Sequence, residues 1–294
     1  MTADYEGIRG HRHAIEQVIP LLEAIRAVAE VAFRRAEAGL PSLTRYAARI
    51  DAQLADLNEL ADGMLTSPEA PVQRSVLVVI SSERGLCGAF NQRLVEQVRR
   101  ELERRRSASE EVILVCLGSR GRRLLEAAGE HVALAIRLTS FSLPSYLVIE
   151  RAAVDILDLM EETSCARLTV MHNAPRRRFG YEVVQRELFP VELAAQAADR
   201  PARPPEMKPA EDVEELFAHL VTERMLTDLY EAVVESAVSE ELARVAAMRL
   251  ATDNARHLLE QLSLEANRAR QASETNALLE IIGGFQAASS NKNV

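Results

Sequence analysis

The chain has 294 residues, a formal charge of −9, 48% hydrophobic content and 4% aromatics with no Trp. That apolar share excludes a disordered chain, and the abundance of Ala, Leu, Glu and Arg argues against an all-β architecture. Lys208 and Lys292 are the only lysines, and neither follows a glycine or precedes Ser or Thr, so a P-loop is excluded and a catalytic lysine nearly so.

Residues 1–70 read as the first helical region. Ile15, Leu22, Ile25, Val28, Phe33, Ile50, Leu54 and Leu57 recur at helical spacing and mark its apolar side. Pro20 and Gly39-Leu40-Pro41 predict two interruptions, giving two or three helical pieces along one kinked path. Residues 71–192 change texture. Short β-rich runs at Val76–Ser81, Val112–Leu117, Val132–Leu138, Arg167–His172 and Tyr181–Val191 alternate with helical stretches near Asn91–Arg106, Arg120–Ala128 and Ser145–Glu162. Such alternation predicts a largely parallel sheet covered by helices. A Pro- and Ala-rich linker follows over 193–210. Residues 211–294 then form one long amphipathic helix, with Val213, Leu216, Phe217, Leu220, Leu226, Leu229, Val233, Leu242, Val245, Leu258, Leu262, Leu278 and Ile281 along one stripe and no Pro or Gly before Gly283. At 1.5 Å per residue it would span roughly 110 Å, so it must project from any compact domain. The simplest arrangement pairs it antiparallel with the N-terminal helical path and leaves part of its stripe free for another protein.

Fifteen acids face six arginines between Glu211 and Ala288, which accounts for the negative charge and makes the rod a poor nucleic-acid grip. Glu240 and Glu241 are expected on a solvated face. The runs Arg104-Arg105-Arg106 and Arg176-Arg177-Arg178 read as a solvated helix end and a solvated loop. Cys87, Cys116 and Cys165 lack Cys-x-x-Cys spacing and suit reduced thiols. Cys87 stands where a helix dipole could activate it, but no histidine is near it in sequence, and a buried packing role is the expectation. His131, His172, His219 and His257 are isolated, and no metal or cofactor site is expected. The glycine turns Gly85–Gly88 and Gly118–Gly121 each join a strand to a helix; a structural role is expected, with phosphate cradling as the alternative. No run approaches the about 18 apolar residues of a membrane span, so no direct membrane insertion is expected.

Three stretches carry a family resemblance. Ser82-Glu83-Arg84-Gly85-Leu86-Cys87-Gly88-Ala89-Phe90-Asn91 is similar to the Ser-Asp-Arg-Gly-Leu-Cys-Gly-Gly-Phe-Asn signature of the γ subunits of F-type ATP synthases. Leu229–Ala232 through Glu241 and Met248–Ala255, then Asn267–Ala272 and Glu280–Gly284, resemble the C-terminal helix of the same family. The resemblance agrees with an α/β fold plus a long antiparallel α-helical coiled coil, the N- and C-terminal helices pairing around an inserted Rossmann-like, largely parallel sheet. It implies a non-catalytic chain, the central rotor shaft that couples proton or other ion flow to the catalytic sites of an α/β subunit ring. The implied partners are the α and β subunits, the ε subunit and the membrane c-ring, at the cytoplasmic face of the cell membrane. By matching positions it implies Arg270 and Gln271 as contacts to the β subunits, with Asp253 and Asn254 as further candidates. Where the family has a lysine-rich run this chain has Leu21–Val28, including Glu23 and Arg26, with Pro20 before it. That departure and the acidic rod imply a weakened attraction to the acidic levers of the β subunits. They leave open a γ-like scaffold without rotary coupling. A small-molecule enzyme built on the α/β insert is the reading of a different class.

Overall fold

The computed structural model describes residues 2–60, 73–138, 145–176, 180–191 and 213–290. The expected linker at 193–210 and the arginines at 177 and 178 lie outside them. The centre of the insert is β1, Arg74–Ile80, whose Val, Leu and Ile side chains are all buried. A strand buried on both faces reads as an uninterrupted apolar run, as this one does. It pairs in parallel with β2, Glu111–Leu117, and with β4, Arg167–Pro175. A third strand, β3 at Leu134–Ile136, lies parallel beside β2, and β5 at Tyr181–Phe189 runs antiparallel beside β4. The order is β3-β2-β1-β4-β5, largely parallel as expected.

Three helices cover the sheet: α2 at Phe90–Ser107, α3 at Ser119–Ala127 and α4 at Tyr146–Glu162. Alternate residues of β1 serve opposite faces. Leu77 and Val79 join Leu94, Val98 and Leu102 of α2 and Leu125 of α3. Val76, Val78 and Ile80 join Ile149, Ile156 and Met160 of α4. This second face is completed by the last helix, α5 at Val213–Ser290, through Met225, Leu226, Leu229, Ala232 and Val233.

The terminal helices are α1, Thr2–Leu60, and α5, Val213–Ser290. The expected interruptions are not seen, since α1 is one helix through Pro20, Gly39 and Pro41. The chain divides into two compact units, residues 29–245 in one and residues 1–28 with 246–294 in the other. In the larger unit α1 shows a heptad seam: Ala29, Ala36, Ala47, Ile50, Leu54 and Leu57 are buried, with Phe33, Leu40 and Leu43 partly so. Steps of four and three residues along this list are the coiled-coil period. Pro20 and Pro41 are both exposed, and in the larger unit Pro41 falls off the seam, so the paired face stays intact there. The seam also corrects the expected inner position of Val28, which is 63% exposed while its neighbour Ala29 is buried.

Pairing in this unit is antiparallel. Ala36 meets Val234 and Val238, Thr44 Oγ1 donates to Glu231 at 2.8 Å, Tyr46 donates to Glu223 at 2.9 Å, and Arg224 Nε donates to Asp51 at 2.5 Å. Toward the C-terminal end of α1 and the start of α5, Ile50, Leu54 and Leu57 close over Phe217. In the smaller unit Glu23 accepts from Arg256 Nη2 at 2.6 Å, and Met248, Thr252 and Ala266 are its buried side chains on α5.

Within the arginine run at the end of α2, Arg104 and Arg106 are exposed as expected, but Arg105 is not. Arg105 is 1% exposed, donates to Ser75 Oγ at 3.1 Å, Thr169 Oγ1 at 3.0 Å and Glu101 at 2.7 Å, and pairs with Glu110. One fork thereby ties the ends of β1 and β4 to α2, and it explains why polar Ser75 and Thr169 sit inside the sheet.

Candidate partner interface

The β1–α2 turn is built by reciprocal polar contacts. Ser82 N donates to Asn91 Oδ1 at 3.1 Å, Asn91 Nδ2 donates back to Ser82 Oγ at 2.8 Å, and Ser82 Oγ donates to the Arg84 carbonyl at 2.7 Å. Within this brace the backbone takes positive φ at Leu86 and Gly88. Cys87 and Phe90 point inward and pack on Ala243 of α5 beside Tyr181. Ser82, Cys87, Phe90 and Asn91 are therefore the residues that shape the turn and seat it on α5.

The second glycine turn serves close approach. A Cβ on Gly118 would lie 2.2 Å from the Ser81 carbonyl oxygen, and one on Gly121 would lie 2.4 Å from the Ser81 Cβ. Gly121 N donates to Ser81 Oγ at 2.9 Å. The space beside these glycines is filled by Ser81, which accounts for both without a ligand.

Burial governs the thiols. Cys87 is raised by burial, against smaller opposing effects from Ser82 and Arg244, and Cys116 is pushed up to about 12, mainly by burial. A nucleophilic Cys87 is not supported by this environment. Native protein at pH 8 is expected to leave both thiols unmodified by iodoacetamide over a time in which urea-unfolded chain reacts fully, as mass spectrometry would read.

Glu240 and Glu241 of α5 do not lie on the expected solvated face, although Asp253, Glu260, Glu265 and Glu274 further along are exposed. Glu241 is buried, accepts from Arg84 Nη2 at 3.3 Å and pairs with Arg244 at 2.5 Å, while Glu240 pairs with Arg244 from the adjacent position. Arg244 Nη2 also donates to the Gly85 carbonyl at 3.4 Å. A second cluster forms earlier along α5. Glu235 accepts from Arg186 Nη2 at 3.2 Å and from the fully buried His172 Nε2 at 2.7 Å, and Glu231 accepts from Arg186 Nη1 at 3.0 Å. A carboxylate only accepts, so Nε2 carries the proton of His172. Burial alone would raise Glu235, but His172 and Arg186 outweigh it and hold the carboxyl low. His172 is thus not isolated; its partner lies 63 residues away in sequence. Sequence reasoning missed Glu231, Glu235, Arg186 and Arg244. Its available signal was acids at steps of three to five along a helix expected to face a domain.

The residues implied by resemblance lie at separate places. Asp253 and Asn254 are exposed on α5, and Arg270 and Gln271 are exposed about 25 Å further along it at 1.5 Å per residue. Arg270 pairs with Glu274 on the same helix. Glu23 and Arg26 are partly buried on α1, and Glu23 is engaged by Arg256. Apolar side chains stand exposed beyond them, Leu278, Leu279, Ile281 and Ile282 each by more than half.

A family model described as ATP synthase matches residues 5–288. The ATP synthase gamma chain of Beijerinckia indica subsp. indica is 30% identical over 300 residues, covering 95% of this chain and 98% of that protein. The chain belongs to the ATP synthase γ-chain family. The gamma chain of Ruegeria sp. is 28% identical, with 93% and 96% covered. Among solved structures, a chain of the Euglena gracilis mitochondrial ATP synthase OSCP/F1/c-ring assembly superposes with a TM-score of 0.72 at 16% identity, over 100% of this chain and 97% of that one. A chain of the Tetrahymena thermophila central stalk and c-ring gives 0.58 at 19% identity, over 79% and 99%. These two likenesses show the γ fold. They match the paired terminal helices and inserted sheet read from the residues. In this γ-chain family member the signature turn is seated on α5 through Cys87 and Phe90. No helix among the described residues is long and apolar enough to cross a membrane.

Proposed function

We propose that the chain is the central rotor shaft of an F-type ATP synthase, coupling ion flow through a membrane c-ring to conformational change at catalytic sites on a ring of α and β subunits, with no catalytic residue of its own. Family membership supports this reading. The observation that carries it is α5, one helix from Val213 to Ser290 whose last described side chains are apolar and bare. An asymmetric helix inside a ring touches each subunit differently at each angle, and such differential contact shifts subunits among states of unequal nucleotide affinity. In this reading Arg270 and Gln271, with Asp253, Asn254, Glu23 and Arg26, meet the α and β subunits. The α/β insert docks on the ε subunit and the c-ring, and the chain sits peripherally at the cytoplasmic face of the cell membrane.

The position of the acids supports rotary use over an inert scaffold. Beyond residue 245, Asp253, Glu260, Glu265, Glu274 and Glu280 are nearly balanced by Arg249, Arg256, Arg268 and Arg270. The acidic excess lies earlier, in the stretch whose carboxylates face Arg84, Arg186, Arg224 and Arg244 within the same unit. The expected repulsion from acidic levers is therefore small where α5 would meet the ring. The test is reconstitution of the whole complex in liposomes. With the full chain, ATP hydrolysis drives ion pumping; with the chain ending at Ala272, hydrolysis persists and pumping falls at least about tenfold. Assembly with hydrolysis but without pumping by the full chain would identify a γ-like scaffold, and full pumping without the chain would overturn both readings.

A further inference from the structure

The insert is attached to α5 chiefly by apolar packing of Met225, Leu226, Leu229, Ala232 and Val233 against one face of the sheet. Hydrophobic contact is non-directional, so it holds the two together without fixing their angle. Further along, α5 presents small buried side chains, Ser236, Ser239 and Ala243, the last of which packs against the signature turn. A seam of small residues permits close approach but offers little interlocking against sliding.

Direction comes from the two charged clusters. The first joins Arg84 and the Gly85 carbonyl of the signature turn to Glu240, Glu241 and Arg244. The second joins His172 of β4 and Arg186 of β5 to Glu231 and Glu235, and Glu231 also accepts from Thr44 of α1. Guanidinium hydrogen bonds are directional, and Arg186 divides its two nitrogens between Glu231 and Glu235 while Arg84 reaches Glu241 through one. Glu231 and Arg244 lie thirteen residues apart, about 20 Å along the helix. Two directional pins at that separation oppose both translation along α5 and rotation about it. The carboxylates of these pins are largely buried while Arg84 and Arg186 are about a third exposed, and register is the best-attested use of such inward-facing ion pairs.

We propose that these two clusters set the angular register between the α/β insert and α5 and carry the load passed between them when the shaft turns. The proposal rests on the rotor reading, in which the insert is held by membrane-side partners and α5 by the ring. Arg84 and Arg186 act as positioning residues, through Glu241 and through Glu231 with Glu235.

Two measurements test it. In the reconstituted complex the double variant Arg84→Ala/Arg186→Ala is expected to hydrolyse ATP at close to the parental rate while ions pumped per ATP against a gradient fall about threefold. Arg84→Lys/Arg186→Lys, which keeps the charges, is expected to restore most of that ratio. An unchanged ratio in the alanine variant overturns the proposal. In the full chain alone, spin labels at the exposed positions Gln97 of α2 and Thr222 of α5 report the register directly, with no dependence on coupling. A broadened distance distribution in the alanine variant supports the proposal, and a distribution of parental width overturns it. A parental complex that hydrolyses without pumping defeats the rotor reading instead, and the spin-label result then stands by itself for the register.

Discussion

Arg105→Ala is expected to destabilise the protein by about 3–5 kcal/mol, the typical cost of removing one partner from a buried ion pair. The substitution strips Glu110 and Glu101 of a buried counter-charge and leaves Ser75 Oγ and Thr169 Oγ1 without their donor, inside the sheet. Its neighbour Arg104 makes a hydrogen-bonded pair with the same Glu101 but is 64% exposed. Arg104→Ala should therefore cost no more than about 1 kcal/mol. The shift of the urea midpoint for the two variants, one residue apart, separates a buried from a solvated arginine. The same cluster has an acid limb. Hydrogen bonds from Arg104, with those from Arg105, overcome burial and hold Glu101 down at about 2, from an ordinary 4.5. A depressed carboxyl stabilises the fold above its unfolded pKa, so this contribution is full above pH 4.5 and is lost as pH falls toward 2.

Gly118→Ala is expected to be comparably damaging, by about 3–5 kcal/mol, because strain and overlap act together there. The residue has φ +101°, and its new Cβ would meet the Ser81 backbone at 2.2 Å, an atom that cannot rotate aside. Gly129 provides the internal control, with φ +84° and open space around its Cβ position. Gly129→Ala carries only the left-handed cost, about 1 kcal/mol. Near-equal melting temperatures for the two variants would show that the Ser81 approach is not what selects glycine at residue 118.

Periodicity made the elements legible. The helix expected at 91–106 is α2 at Phe90–Ser107, and the strand expected at 112–117 is β2 at Glu111–Leu117. Those elements are decided by apolar spacing, which is local. The earlier start of β1 is not, since Ser75 enters the strand as an acceptor for Arg105, thirty residues away. The unbroken α1 shows the opposite error. Pro20 and Pro41 each remove one backbone donor, a local loss of about 3 kcal/mol, yet the helix runs on through both, and at Pro41 the seam beside it supplies tertiary pairing that a local reading does not see. Polar pairing was the least legible part of the candidate site. Glu240 and Glu241 look like any surface pair until Arg84 and the Gly85 carbonyl are known to sit above them. His172 looks alone because spacing carries no information on what a β-strand faces across a domain. The signature turn was legible as a family mark, whereas its work, bracing through Ser82 and Asn91 and seating Cys87 and Phe90 on Ala243, emerged only in three dimensions.

The bare apolar end of α5 also bears on how the cell handles this polypeptide. Leu278, Leu279, Ile281 and Ile282 lie on one short stretch of helix, each more than half open to water. A newly made copy with no neighbours displays the kind of greasy surface that chaperones bind and quality-control proteases target. Under the rotor proposal its abundance in vivo is expected to follow that of the subunits that would cover it, and overproduction without them to end in degradation or inclusion bodies.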